Sequence, residues 1–311
     1  MKISNLKTIL LSLVVMALWG SLFPCIKLGY EAFAIDSANI PDIIMFAGMR
    51  FVLCGGIVTL IALIKRDKIA APKPKNVGII LLVGLFAIVL HYACTYVGLG
   101  VTDGSKTAIL KQLGALFYVC FAFLFIKNEK FSIYKIFGAL VGFAGIIAIN
   151  LSSVGFDFAW GDILIIGASL CTVASGIFTK KIADNNSPFW ITGLSQLAGG
   201  IVLVVAAVIM GGSFLTFSIE ATLIFAYICT ASTVAYLLWN YILKTTDLSN
   251  MFIIKFAEPL FACLFSAALL GEDIFKLQYL AAFLLISAGI VLGNKTAEKQ
   301  RKAFKAKEPL D

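Results

Sequence analysis

Charge is scarce in this chain and histidine nearly absent: Asp, Glu, Lys and Arg make up 14% of 311 residues, and His91 is the one histidine. A soluble domain has about a quarter charged residues, so the deficit excludes a water-facing surface for most of this sequence. A lone histidine without clustered carboxylates excludes a zinc or two-metal centre built from the usual donors. The sequence also lacks a Gly-x-x-x-x-Gly-Lys loop, a His-Glu-x-x-His helix and a paired acid–base set in its apolar stretches, which argues against an intramembrane enzyme. No cofactor and no metal are expected. The cysteines Cys25, Cys54, Cys94, Cys120, Cys171, Cys229 and Cys263 all fall inside apolar runs, where they act as small packing residues rather than a disulfide framework.

What is present is hydrocarbon. Hydrophobic residues make up 60% of the chain and mean hydropathy is +0.98, more apolar surface than a soluble core can hide. Crossing about 30 Å of hydrocarbon takes about 20 apolar residues per helix. Ten such runs occur, over residues 7–28, 43–64, 77–99, 104–126, 132–150, 161–181, 190–211, 220–243, 249–270 and 277–294. The expected class is an all-α integral membrane protein of ten transmembrane helices. The first run reaches Trp19, Gly20 and Pro24 without an Ala-x-Ala-like cleavage site, so it is expected to remain as a span.

Basic residues set the orientation, because short cytoplasmic loops collect them. Lys2 and Lys7 precede span 1; Lys65, Arg66, Lys68, Lys73 and Lys75 follow span 2; Lys127, Lys130 and Lys135 follow span 4; Lys180 and Lys181 follow span 6; Lys244 follows span 8; and six more close the chain from Lys295 to Lys307. The other connections have Glu31, Asp36, Asp42, Asp103, Asp157, Asp162, Glu220, Glu272 and Asp273. Both termini are therefore expected in the cytoplasm, in a multi-pass cell-membrane protein. The net charge of +8 follows from this topology, so the lipid bilayer, not nucleic acid, is the expected partner. The basic tail 295–311 is expected to be disordered near anionic headgroups.

The sequence also repeats itself. Thr102 through Lys111 (TDGSKTAILK) recurs 144 residues later as Thr246 through Lys255 (TDLSNMFIIK), Leu116-Phe117 falls on Leu260-Phe261, and Ala144-Gly145-Ile146 falls on Ala288-Gly289-Ile290. Five spans per copy is an odd number, so the second copy enters the membrane from the opposite face. The expected organisation is two inverted five-helix repeats, 1–150 and 151–294, an arrangement many secondary transporters use to place a substrate site near the midplane.

Trp19-Gly20, Arg50, Leu99 through Thr102, Glu258-Pro259 and Gly271-Glu272, in that order along two five-helix units, resemble the drug/metabolite transporter superfamily in its ten-helix EamA-like branch. The resemblance covers about residues 8–294. It implies a secondary carrier, often an exporter, of amino acids, other metabolites, quaternary amines or drugs, with a central cavity lined by both repeats.

A lysine at the centre of a span costs about 2.5–3.5 kcal/mol unless it faces a cavity or a partner. Lys111 and Lys255, each about 10 Å into its span at 1.5 Å per residue, occupy equivalent repeat positions, where the family usually has apolar residues. They are candidates for meeting the carboxylate or phosphate of an anionic or zwitterionic substrate, or else they snorkel or form fixed ion pairs. Glu258 lies within reach of Lys255 on one helix face, whereas its counterpart is Gly114. It is a candidate for proton coupling or an ion pair. His91 is a candidate for proton transfer, for a substrate hydrogen bond or for a bond to a neighbouring helix.

Tyr92 and Tyr96 share a face, with Tyr236, Asn240 and the adjacent Trp239 as their counterparts in the other repeat. With Trp19 they form either an aromatic cavity wall able to stack on a ring or a cation, or packing and interfacial aromatics. Arg50 is expected to bond backbone carbonyls or an acidic loop residue, with anion binding as the other reading; Lys27 and Lys106 are expected to snorkel. The Gly138, Gly142, Gly145 series is expected to pack helices within the subunit. The expected function is alternating-access transport, most simply export, of an amino-acid-like or other anionic or zwitterionic compound, driven by a proton or an exchange substrate. The competing readings are a carrier of cationic or apolar drugs, an intramembrane enzyme and a channel. Substrate identity and oligomeric state stay open.

Overall fold

The protein is described by a computed structural model covering residues 5–65, 69–99, 104–125, 131–150, 159–271 and 277–305. Lys2, Arg66, Lys68, Thr102, Asp103, Lys127, Lys130, Asp157, Glu272 and Asp273 lie outside the described residues, as do the side chains of Lys106 and of the chain from 294 onward.

Among the described residues every regular element is helical: α1 (Asn5–Ala32), α2 (Ile40–Ile64), α3 (Pro74–Gly84), α4 (His91–Leu99), α5 (Gly104–Phe125), α6 (Ile133–Asn150), α7 (Trp160–Ala183), α8 (Pro188–Ile209), α9 (Ile219–Leu243), α10 (Leu248–Lys255), α11 (Glu258–Leu270) and α12 (Leu277–Lys305). Seven helical stretches are long and apolar enough to cross a membrane, two of them composite: α3 with α4, and α10 with α11. Ile109–Leu124, Ile133–Ala148 and Leu277–Gly293 are shorter apolar helices. Side chains such as Leu60, Ile64, Leu124, Leu223 and Leu280 stand exposed on the outside, a surface suited to lipid.

Local chemistry sets the helix ends. Asn39 caps α2 by accepting from the Asp42 N–H, and Pro41 sits in the first turn, where its missing N–H costs nothing. Ser187 and Ser218 cap α8 and α9 in the same way. A single helix is expected over 249–270, but the structure breaks it between Lys255 and Glu258. Pro259 cannot donate, and its ring would collide with the Lys255 carbonyl, so the bonds at Phe256 and Ala257 shorten to three-residue turns. The equivalent position in α5 is Ala115, and α5 runs unbroken. Between α3 and α4 the chain takes a π-helical turn, Leu85–Leu90, immediately before His91.

Helix α12 runs on to Lys305, through a segment rich in Ala, Glu, Lys, Gln and Arg, which are strong helix formers.

Lipid offers no hydrophobic drive between helices, so association depends on close van der Waals contact at small residues. The most extensive packing pairs α2 with α8 and α6 with α12, helices one repeat interval apart. A Cβ at Gly200 would fall 2.5 Å from the Val52 nitrogen, and one at Gly138 would fall 2.6 Å from the Gly289 carbonyl oxygen; the reverse contact, Gly289 on the Gly138 oxygen, is the same length. The glycine series of α6 thus packs within the subunit. Gly200→Leu is expected to lower thermal stability in detergent by about 3 kcal/mol, the upper range for overpacking. Gly78→Ala, where a Cβ meets nothing within 4 Å, should match or exceed the unaltered protein; melting curves for both check this.

Candidate functional site

Helices α1 to α5, with the π-helical turn between α3 and α4, and α7 to α11 surround a central cavity of about 340 Å³, within the range of small-molecule sites. Lys111, Lys255, Trp19, Tyr92, Tyr96, Tyr236, Trp239, Asn240, Glu258 and His91 all line it. Residues scattered over the sequence thus meet at one place, and the tyrosines and tryptophans are wall residues rather than a lipid-facing belt.

The break before Pro259 gives this cavity its ion pair. Lys255 ends α10 and Glu258 begins α11, so each charge complements the dipole of its own helix, and the Lys255 Nζ donates to a Glu258 carboxylate oxygen. The same ammonium sits 4.7 Å from the centre of the Trp19 ring, itself 5.4 Å from Tyr236 and 5.2 Å from Trp239. Gly20 brings α1 hard against α11, where a Cβ would lie 2.6 Å from that of Phe261. Carboxylate and indole together account for the charge of Lys255.

Lys111 is placed differently. Its Nζ lies 5.7 Å from the centre of the Phe23 ring, and it feels the charges of Glu258 and Lys255 at longer range. Among the described residues it has no hydrogen-bond acceptor and no ion-pair partner. Next to it the Gln112 side-chain oxygen is buried without a partner.

His91 serves the helix contact considered for it: Nδ1 lies 3.0 Å from the Ala168 carbonyl oxygen and 3.2 Å from the Thr172 hydroxyl, both on α7. A carbonyl partner puts the proton on Nδ1 and leaves Nε2 as the acceptor nitrogen. Asn240 donates to the Thr192 hydroxyl at 2.8 Å. Tyr92 and Tyr96 lie 5.6 Å apart, and Phe51 stands 5.1 Å from Tyr92.

Arg50 is where expectation fails most clearly. A bond to backbone carbonyls or a loop carboxylate is expected, with anion binding as the other reading, and among the described residues Arg50 makes neither such bond. The side chain is 1% exposed and lines the cavity. Its Nη2 donates to the Tyr92 hydroxyl at 3.1 Å, its guanidinium lies 4.5 Å from the Phe51 ring centre, and Nε has no partner. Lys27 also borders the cavity. Thr95 and Ser232 add two buried hydroxyls without partners, which the sequence marked in no way because small hydroxyl residues are ordinary in membrane helices.

A multi-pass helical protein with an aromatic-walled, ionisable central cavity has the architecture of a solute transporter. The family model of the EamA-like transporter family matches residues 6–151 and again 159–294, and the chain belongs to that family; it is a membrane transporter, not an enzyme. It is similar to the uncharacterised inner membrane transporter YedA of Escherichia coli K12 (25% identity; 88% of this chain, 87% of the relative). It is also similar to the uncharacterised transporter YvbV of Bacillus subtilis 168 (23%; 96% and 94%) and to a probable amino-acid metabolite efflux pump of E. coli K12 (26%; 95% and 97%). One crystal structure superposes with a TM-score of 0.76 at 18% identity, covering 96% of this chain and 99% of the other, which shows a shared fold.

Removing the carboxylate while leaving the ammonium should be costly here. Glu258→Gln is expected to destabilise the protein by about 3 kcal/mol or more, and adding Lys255→Met should restore most of the loss. Thermal unfolding of the single and double variants in detergent checks the coupling, and a double variant no better than the single would refute it.

Proposed function

We propose that this transporter is an alternating-access secondary carrier exporting an amino-acid-like or other anionic or zwitterionic metabolite across the cell membrane. In this reading residues 1–150 and 151–294 are inverted repeats and both termini are cytoplasmic. The double family match, the pairing of α2 with α8 and α6 with α12, and the distribution of basic loop residues support that organisation. The observation that carries the cargo assignment is Lys111, a cation inside the membrane-spanning bundle facing the cavity with no counter-ion among the described residues. A substrate carboxylate would supply one.

Trp19, Tyr92, Tyr96, Tyr236 and Trp239 would flank the apolar part of such a substrate, and Asn240 would offer its amide. The relative named as a probable amino-acid metabolite efflux pump supports both the cargo class and the direction. Glu258 beside the aromatic rings favours a second reading, a cationic cargo held by cation–π attraction. Lys255 already occupies the Trp19 face and the Glu258 carboxylate, so the cation that arrangement suits is built in.

The cavity extends to Lys27 and Tyr30 near the far end of α1. Trp19 and Trp239 join this cavity to an apolar cluster that includes Tyr118, Leu243, Leu248, Met251 and Phe252. Transport energy comes from a gradient or exchange; coupling through a proton on Glu258 requires the pair with Lys255 to open, so Glu258→Gln should abolish gradient-driven accumulation if the proton is the driver.

A thermal-shift panel of amino acids, organic acids, phosphorylated metabolites and quaternary amines tests the cargo class. Anions or zwitterions should stabilise the protein, and Lys111→Met should weaken their binding by about 30-fold or more while leaving expression normal. Unchanged binding and transport in Lys111→Met would reject the lysine-centred site.

A further inference from the structure

A second unsatisfied cation faces the same cavity, on α2 rather than on the helices that bear the lysines. Arg50 has five N–H donors in a rigid fork, of which one bond, to the Tyr92 hydroxyl, is made among the described residues. Nε is buried without a partner, and no carboxylate pairs with Arg50 among the described residues. A buried guanidinium left this way is expensive unless something else completes it. Two hydroxyls with unspent hydrogen-bonding capacity, Thr95 and Ser232, line the cavity with it.

The aromatic residues show how the two cationic regions are related. The Arg50 guanidinium rests 4.5 Å from the Phe51 ring, Phe51 stands 6.4 Å from Tyr236, Tyr236 stands 5.4 Å from Trp19, and Trp19 meets Lys255 at 4.7 Å. Lys111 lies within electrostatic range of Lys255 and Glu258. This run of rings has Arg50 at one end and the Lys255–Glu258 pair, with Lys111 in its electrostatic range, at the other. Only one carboxylate, Glu258, is among the described residues lining the cavity, and that one is engaged by Lys255.

We infer that Arg50 is a second anion-recognition residue and that the transported compound has two acidic groups separated by an apolar or aromatic spacer. One acid meets Lys111 and the other takes the Arg50 fork beside the Tyr92 hydroxyl. The spacer lies along Tyr236 and Trp19. A single acid leaves one cation unpaired in a low-dielectric site, and a second acid removes that cost. This deepens the anion-carrier reading and rests on it.

The test compares linear monocarboxylates with α,ω-dicarboxylates over increasing chain length, and phenylacetate with 1,4-phenylenediacetate, by calorimetric titration of the full-length protein in detergent. The unaltered protein should bind the best-spanning diacid at least about 30-fold tighter than its monoacid. Arg50→Gln should erase that advantage while keeping monoacid affinity, which also verifies that the variant is folded. Arg50→Lys, which keeps the charge without the fork, should fall between. Equal affinity for mono- and diacids in the unaltered protein, or an advantage that survives Arg50→Gln, overturns the role of Arg50 and leaves the lysine site standing. Failure of every acid to bind overturns both.

Discussion

A cation held inside a hydrocarbon slab must reach water, a counter-ion or the face of an aromatic ring, and much of this structure is organised around three that do so in different ways. Lys255 takes a carboxylate and an indole. Lys111 takes the edge of the cavity and a distant phenyl face. Arg50 takes a phenol hydroxyl and a phenyl ring, with donors to spare. The cost of each would be prohibitive on a lipid-facing surface, so the helices bearing them turn those faces inward and a polar cavity follows.

That interior can stay open because the scaffold around it is tight. Glycines let α2 meet α8 and α6 meet α12 at backbone distance. Gly200, Gly138 and Gly289 at these contacts are not among the cavity-lining residues, so rigidity and solvation are supplied by different residues. The discontinuity at Phe256 and Ala257, like the π-helical turn through Ala87 and Ile88, brings backbone irregularity to the lining. It carries a pair of charges that a continuous helix would present on one face without the benefit of two helix ends. Irregular backbone at membrane depth is tolerated where it borders a cavity.

Much of the site was legible before any coordinates, for identifiable reasons. Ionisable residues in apolar runs stand out because they are costly, which exposed Lys111, Lys255, Glu258 and His91. The four-residue spacing of Tyr92 and Tyr96, repeated at Tyr236 and Asn240, exposed a shared helix face. The state of each group was not legible. Nothing near Arg50 in sequence indicates that its partner is Tyr92, forty-two residues on, or that none of the described carboxylates pairs with it. His91 gave no hint that α7 would hold it through Ala168 and Thr172. The break in the ninth span follows from Pro259, yet Pro24 lies within a continuous α1, so proline alone does not decide where a helix ends.

By itself the sequence determined that the chain is helical and lives in a membrane, because hydrophobic run length and the cost of unpaired backbone in lipid leave no other choice for such segments. It also determined that lysines recur at matching positions, since an internal repeat is a property of order along the chain. Only the tertiary structure decided which charges are compensated. Compensation depends on distances between helices far apart in sequence, and those distances are set by glycine contacts and ring packing that no single segment encodes.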